Sequence, residues 1–331
     1  MLAGVLLVNL GTPEAPTAGA VRRYLREFLL DPRVVQIPKI AWWPILNFIV
    51  LPIRAPKSAA KYASIWRSDG SPLRVYHERQ VQLLRGYLGQ RFKMAVPVAG
   101  AMRYGKPTVG DGLRELQEKG CERVLIVPMY PQYAASTTAS VDDAVQRALK
   151  KMKRAPETAM VKDFHDHTAY VKAIAKNVNE YWLKNGRPDK LVMSFHGLPK
   201  VVITRGDPYQ KQCLESARRI ATELGWNDAR TMVTFQSRFG AQEWIGPATA
   251  ETLAALGAQG VKRVDVICPG FATDCLETLE EIGMEGRQAF LKAGGKEFHY
   301  IPTTNDTPSW MTALTILTME NLAAWMNPRE A

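Results

Sequence analysis

Cysteine is scarce and scattered in this chain. Its 331 residues hold four, Cys121, Cys213, Cys268 and Cys275, with no C-x-x-C pair. That excludes a disulfide framework, matches no zinc-ligand spacing and fits a reducing compartment. Long apolar runs are missing too. The longest, Ile40 to Ile53, covers 14 residues and is broken by Pro44, Asn47 and Pro52, whereas a spanning helix needs roughly 20. The apolar start from Met1 to Val8 has no basic residue ahead of it, the first being Arg22. It reads as a buried strand, not a secretion signal. No low-complexity stretch appears. G-x-G-x-x-G, Walker, G-x-S-x-G and H-E-x-x-H motifs are absent, and with them the main support for a dehydrogenase, an NTPase or a hydrolase.

Acidic residues are the scarcer charged class, 32 against 43 Lys and Arg, a net charge of +11. The surplus is compatible with nucleic acid, an anionic membrane surface or a carboxylate- or phosphate-bearing ligand. No basic-aromatic motif accompanies it, so no nucleic-acid partner is expected. A hydrophobic fraction of 46% over this length excludes a disordered chain and suggests about two domains.

What the chain does have is alternation. Strand-like runs at Gly4–Leu10, Met94–Ala99, Arg123–Pro128, Leu191–Phe195, Thr231–Phe235 and Arg263–Cys268 are separated by helical patterns. The helical stretches include Val109–Lys119, Val141–Lys153, Ala169–Lys184, Pro208–Leu224 and Thr249–Gln259. Continuous Val/Ile-rich strands between helices predict an α/β fold with parallel sheets covered on both faces. The halves also echo each other in order. Val8–Pro13 is matched by Ser194–Pro199, Met102–Gly105 by Ser237–Gly240, and Gly120–Val124 by Gly260–Val264. We expect one domain over 1–165 and another over 166–331, with a final helix near 307–326 that packs back on the first. The first half is longer by an insertion near 40–71. Its apolar run reads either as a core helix with Pro at its ends or as an exposed apolar lip.

Ligands of open parallel sheets bind beyond the carboxyl ends of the strands. Two segments put unusual polar residues there. In Leu191–Gly197 a buried strand ends on His196, with imidazole suited to proton transfer near neutral pH; a hydrogen-bonded structural role is the alternative. In Cys268–Glu281 a Pro-Gly turn leads to a helix capped by Thr273 or Asp274. Asp274, Glu277 and Glu281 then fall at i, i+3 and i+7, a carboxylate row on one helical face; an acidic solvated face is the alternative. A His facing such a row suits a borderline divalent metal such as Fe(II), and equally suits proton removal from a nitrogen acid. His165-Asp166-His167 reads as a helix start. His77 and His299 show no partner pattern.

These residues resemble a known family. Ser194-Phe195-His196-Gly197-Leu198-Pro199 with Arg205-Gly206-Asp207-Pro208-Tyr209 is similar to the signature segment of ferrochelatases. So are Tyr130-Pro131-Gln132-Tyr133 with Ser136-Thr137-Thr138, Phe235-Gln236-Ser237-Arg238 with Trp244-Ile245-Gly246-Pro247, and Gly270–Thr278. The resemblance runs from about Gly4 to about Trp325. It implies two Rossmann-like domains, each a parallel sheet flanked by helices, enclosing a porphyrin cleft. It also implies insertion of Fe(2+) into protoporphyrin IX at the end of haem synthesis. By motif match His196 and Glu277 are the catalytic and metal-binding pair, and Asp274 and Glu281 the acidic path behind the glutamate. Leu10, Arg54, Lys57, Ser71, Arg103, Tyr104 and Phe271 are implied porphyrin contacts, with the apolar run as the lip. Many members carry His two residues before the glutamate, where this chain has Cys275, as members from Gram-negative bacteria do. Without a cysteine-bearing extension after Trp325, no [2Fe–2S] cluster and no tightly bound cofactor is expected; Fe(2+) is a substrate. The expected location is the cytoplasm, with a peripheral membrane contact. The alternatives are a chelatase for coproporphyrin III or another metal, and a non-catalytic tetrapyrrole carrier. A carrier would need cationic and aromatic walls but not His196 with Glu277.

Overall fold

The computed structural model describes residues 2–227, 229–240 and 242–326. The apolar runs form two four-stranded parallel sheets. The first contains β1 (Leu2–Gly11), β2 (Val98–Tyr104), β3 (Cys121–Pro128) and β4 (Glu157–Met160), in the order β2-β1-β3-β4. The second contains β5 (Lys190–His196), β6 (Thr231–Gln236), β7 (Arg263–Ile267) and β8 (Glu297–Tyr300), in the order β6-β5-β7-β8. The same order appears twice, and the sequence echoes fall on equivalent places. Val8–Pro13 and Ser194–Pro199 end or follow the central strands β1 and β5. Gly120–Val124 and Gly260–Val264 lead into β3 and β7. Val5 to Val8, and Leu191, Val192, Met193 and Phe195, are fully buried, as central parallel strands covered on both faces must be.

Two strands escape sequence reading. β4 and β8 are four-residue edge strands, mostly half-buried or exposed, so neither shows a continuous apolar run. β2 also starts later than expected, at Val98, because Lys93 ends the helix Pro72–Phe92 in the left-handed region at φ 52° and Met94 is exposed. That helix and the helix Ala18–Leu29 add to those read from the sequence.

The chain divides into two compact units. One comprises Met1–Tyr130, Ala134–Asp163 and Leu314–Ala331; the other comprises Pro131–Tyr133 and Phe164–Ala313. This differs from a single cut after 165. Pro131–Tyr133 belongs with the second unit because the Phe164 N–H donates to the Pro131 carbonyl at 2.9 Å and the Tyr133 N–H to Gln212 Oε1 at 2.6 Å. The final helix Pro308–Met326 changes units along its length, its last turns joining the first unit, where the Arg123 guanidinium lies 5.8 Å from the Trp325 ring centroid.

The apolar run resolves in favour of exposure. It is helical as Lys39–Ile45, a π-helical stretch Leu46–Val50 and the helix Leu51–Ile65. Leu46 and Leu51 pack with Leu29, and Trp42 is tied in by its indole N–H donating to the Leu29 carbonyl at 2.7 Å. Ile40 and Phe48, at 94% and 71% exposed, point outward with Trp43, Ile45, Ile49 and Ile53. Among the described residues, no helix is long and apolar enough to cross a membrane.

Candidate functional site

In the second unit the polar chemistry gathers at the carboxyl end of β5 and β6. His196 is the last residue of β5 and lies opposite Gln236, the last of β6. Gly197 follows because a Cβ there would stand 2.7 Å from the Gln236 carbonyl oxygen. His196 is half-buried, and its Nδ1 lies 2.7 Å from the Gly197 carbonyl. A carbonyl only accepts, so this contact assigns the proton to Nδ1, and in the neutral ring the lone pair is then on Nε2. Among the described residues Nε2 has no hydrogen-bond partner. It is free to take a proton or bind a cation.

Glu277 opens the π-helical segment Glu277–Gly286 and is half-buried. Wider π turns, with i→i+5 hydrogen bonds, are concentrated at functional sites. They keep residues four and five apart on one face, so Glu277 and Glu281 remain neighbours. Asp274 does not join them. The expected i, i+3, i+7 row fails because the helix begins after Asp274, and Leu276 stands at the N-cap position with no side-chain cap. Asp274 is 4% exposed and fully engaged. Its carboxylate accepts from the Tyr300 hydroxyl, Thr278 Oγ1 at 3.0 Å, Asn305 Nδ2 at 2.7 Å and the Thr303 N–H at 3.4 Å. It anchors the turn ahead of the helix. Glu281 is also held, by the Ser237 N–H at 2.6 Å and the Ser237 hydroxyl at 2.5 Å. Glu277 is thus the carboxylate of the three with the least hydrogen bonding.

Burial shapes the neighbouring titrating groups. It pushes the Cys275 thiol well up, helped by the Glu277 carboxylate to which the thiol hydrogen-bonds. The Cys268 thiol is raised by burial and by the charges of Asp274 and Glu281, and the Tyr300 hydroxyl by burial and Asp274. These groups stay protonated near neutral pH and serve as donors or packing. Phe271 is half-buried against the core of Val266, Ile282 and Phe290.

The first unit holds the other expected residues. Leu10 is half-buried near the end of β1, its N–H bonded to Asn9 Oδ1 at 2.8 Å. Arg54 and Lys57 are exposed on the helix Leu51–Ile65. Ser71 is buried and accepts from Thr12 Oγ1 at 2.8 Å. Arg103 and Tyr104, expected as a polar pair on a ligand-facing wall, close a buried network. The Arg103 guanidinium pairs with Asp31, donates to Ser140 Oγ at 2.6 Å and lies 4.3 Å from the Tyr104 ring centroid. The Tyr104 hydroxyl donates to Asp31 at 2.9 Å, and Ser140 Oγ donates to the same carboxylate at 2.6 Å. Burial raises the Asp31 pKa, but the Ser140 hydrogen bond, the Arg33 N–H and the Arg103 charge outweigh it and hold the carboxyl below its ordinary value. His165-Asp166-His167 is a helix start, with His167 capping Thr168–Asn185 through the Ala169 N–H at 3.2 Å.

The family model described as ferrochelatase matches residues 3–322. A ferrochelatase of Aromatoleum aromaticum is 56% identical over 98% of this chain and 88% of its own length. One from Methylobacillus flagellatus is 48% identical over 98% of this chain and 95% of its own. Among solved structures, SirB from Bacillus subtilis with Fe3+ superposes with a TM-score of 0.59 at 13% identity, covering 98% of this chain and 97% of that one. That likeness speaks to the fold.

Proposed function

This chain belongs to the ferrochelatase family, and we propose that it inserts Fe(2+) into protoporphyrin IX through His196 and Glu277 of the second unit. It is a lyase of haem synthesis. Two pyrrole protons leave as one Fe(2+) enters, so charge balances and the enzyme must supply a proton acceptor and a path for the metal out of water. The observation that carries the assignment is the His196 ring: Nδ1–H spent on the Gly197 carbonyl, Nε2 unengaged. A lone pair fixed in direction by its own backbone is a prepared base. Glu277, held by its carbonyl through Gln236 Nε2 at 2.7 Å, keeps its carboxylate available to exchange with water on the incoming ion. A planar macrocycle resists metal entry, so binding that distorts it lowers the barrier. In the second unit half-buried Phe271 offers an apolar face to a macrocycle; in the first, half-buried Leu10 does the same and the exposed cations Arg54 and Lys57 suit carboxylates such as propionates. The reading needs no resident cofactor. The free thiols of all four cysteines support a cytoplasmic setting, and the exposed apolar face from Ile40 to Ile53 supports peripheral contact with a membrane surface.

Anaerobic metalation of protoporphyrin IX by purified protein tests the proposal, with coproporphyrin III as competitor. Glu277→Gln should lose on the order of 100-fold in turnover. Absence of haem formation by the wild type refutes the activity; full turnover by Glu277→Gln refutes the role of that carboxylate.

A further inference from the structure

One buried side chain bridges the strand that ends on His196 and the helix that begins at Glu277. Gln236 is 3% exposed and sits beside His196 in the strand register. Its own carbonyl accepts the Gly197 N–H at 2.7 Å, which extends the β5–β6 ladder one step past His196. Its side chain then spans outward. Oε1 accepts from the Ser194 hydroxyl at 2.7 Å and from the Cys268 thiol at 3.7 Å. Nε2 donates to the Glu277 carbonyl at 2.7 Å and approaches Glu281 Oε2 at 3.5 Å. The donor and acceptor ends are not interchangeable, because the opposite flip would set the amide oxygen against the Glu277 carbonyl, which only accepts. Ser194 is itself locked, 2.8 Å from Thr249 Oγ1, which lies 2.9 Å from Thr234 Oγ1. All three hydroxyl-bearing residues are buried.

The next residue repeats the device. Ser237 adopts φ 64°, a left-handed conformation uncommon for a residue with a side chain. That turn lets its N–H and its hydroxyl reach the same carboxylate, Glu281. Strain of this kind persists where surrounding contacts over-determine it, and it clusters at functional sites.

We infer that Gln236 and Ser237 are positioning residues that fix the first turn of the π-helical segment against the end of β5, so that Glu277 is presented to a metal ion together with His196. The inference rests on the reading of His196 and Glu277 as the metalation pair. Neither Gln236 nor Ser237 needs to touch metal or porphyrin. Gln236 supplies register, since one amide reads the strand bearing His196 and the helix bearing Glu277. Ser237 supplies restraint, since it occupies Glu281 and leaves Glu277 as the less hydrogen-bonded carboxylate.

The test uses Gln236→Met, close in size and without a donor, and Ser237→Ala, which keeps the backbone N–H. Zn(2+) affinity by isothermal titration and anaerobic Fe(2+) insertion kinetics are measured beside porphyrin binding by fluorescence and the melting temperature. Gln236→Met should weaken Zn(2+) binding and raise KM for Fe(2+) on the order of 10- to 100-fold, the usual effect of losing a residue that orients a metal ligand. Porphyrin affinity should stay within about twofold, a split that a merely structural loss would not give. Ser237→Ala should shift the same metal parameters by about fivefold, one hydrogen bond's worth, and keeps the question open to measurement if Gln236→Met does not fold. Metal affinity and KM unchanged in the folded variants overturn the inference, as does a loss of metal and porphyrin binding in equal measure. A wild type that binds Zn(2+) but forms no metalloporphyrin overturns only the parent reading, because the Zn(2+) titration still scores the positioning.

Discussion

Arg103 and Asp31 pair inside the first unit, their side chains 9% and 4% exposed, with Ser140 and Tyr104 completing the contact. A buried pair of this kind is costly to break from one side, because the remaining charge is left without a partner. Asp31→Asn should therefore destabilise the protein by about 3 kcal/mol in urea unfolding near pH 7, while Asp31→Leu combined with Arg103→Met should recover part of that loss. Because the Asp31 carboxyl sits below its ordinary value of 3.8, the network's contribution is present above that pH and fades as pH falls through the lowered value. An Asp31→Asn protein as stable as wild type would show that the network is incidental.

His77 loses stability in the same direction, on acidification, but in a higher pH window. It is fully buried in the helix Pro72–Phe92 against Gly100, and neither ring nitrogen has a hydrogen-bond partner. Burial lowers its pKa from 6.5 to about 4. The unfolded chain then binds a proton that the folded chain refuses, so stability is intact above pH 6.5 and falls as pH drops from there toward 4. The loss attributable to His77 should approach about 3 kcal/mol. His77→Leu should be at least as stable at pH 7.5, since it removes two unsatisfied buried atoms, and should lose less on acidification. Parallel urea midpoints at pH 7.5 and pH 4.5 decide this; identical slopes for the two proteins would falsify it.

The His196 ring should matter for rate and not for folding. It is half-buried at a strand end, and its one hydrogen bond is to the adjacent residue. His196→Ala should lose about 100-fold or more in metalation turnover, the range of a general base, with a melting temperature close to wild type. His196→Asn, able to donate to the Gly197 carbonyl but unable to accept a pyrrole proton at neutral pH, should be equally inactive. Retained turnover in the Asn variant would place the ring's role in structure.

Much of this was legible in the sequence, and the omissions have physical causes. The central strands show as apolar runs because they are buried on both faces, and His196 shows because such a run stops on a polar residue followed by Gly197. Asp274 falls outside the helical row because its carboxylate is engaged by Tyr300, Thr303 and Asn305, all more than twenty-five positions away. Arg103 carries no local sign that Asp31, 72 positions earlier, will claim it. Gln236 lies one residue beyond the apolar run Thr231–Phe235, and nothing in a single sequence says that its amide turns toward Glu277. The helix Pro72–Phe92 hides its period because His77 and Gln80 occupy buried positions that are usually apolar.

The exposed apolar face gives the remaining prediction. Ile40, Trp43 and Phe48 are exposed, with Trp43 and Phe48 in edge-to-face contact at 5.9 Å between ring centroids. Lys39, Arg54 and Lys57 lie on the same helical stretch. An apolar face of this kind beside cations suits the surface of an anionic bilayer, where each buried side chain contributes about 1.5 kcal/mol or more and each cation about 1 kcal/mol. Wild-type protein should co-sediment with vesicles of mixed phosphatidylglycerol and phosphatidylcholine. The triple variant Ile40→Ser, Trp43→Ser, Phe48→Ser should partition at least about 100-fold less, since three such anchors are lost. Its melting temperature should not fall, because these side chains already face water. Trp42→Ser is the contrast: its indole N–H is bonded to the Leu29 carbonyl and its ring packs with Leu46 and Leu51, so it should lower stability before it lowers vesicle binding. Added salt should weaken binding only in part, because the apolar contribution is not screened. Equal sedimentation of the triple variant and the wild type would remove the membrane reading of this face.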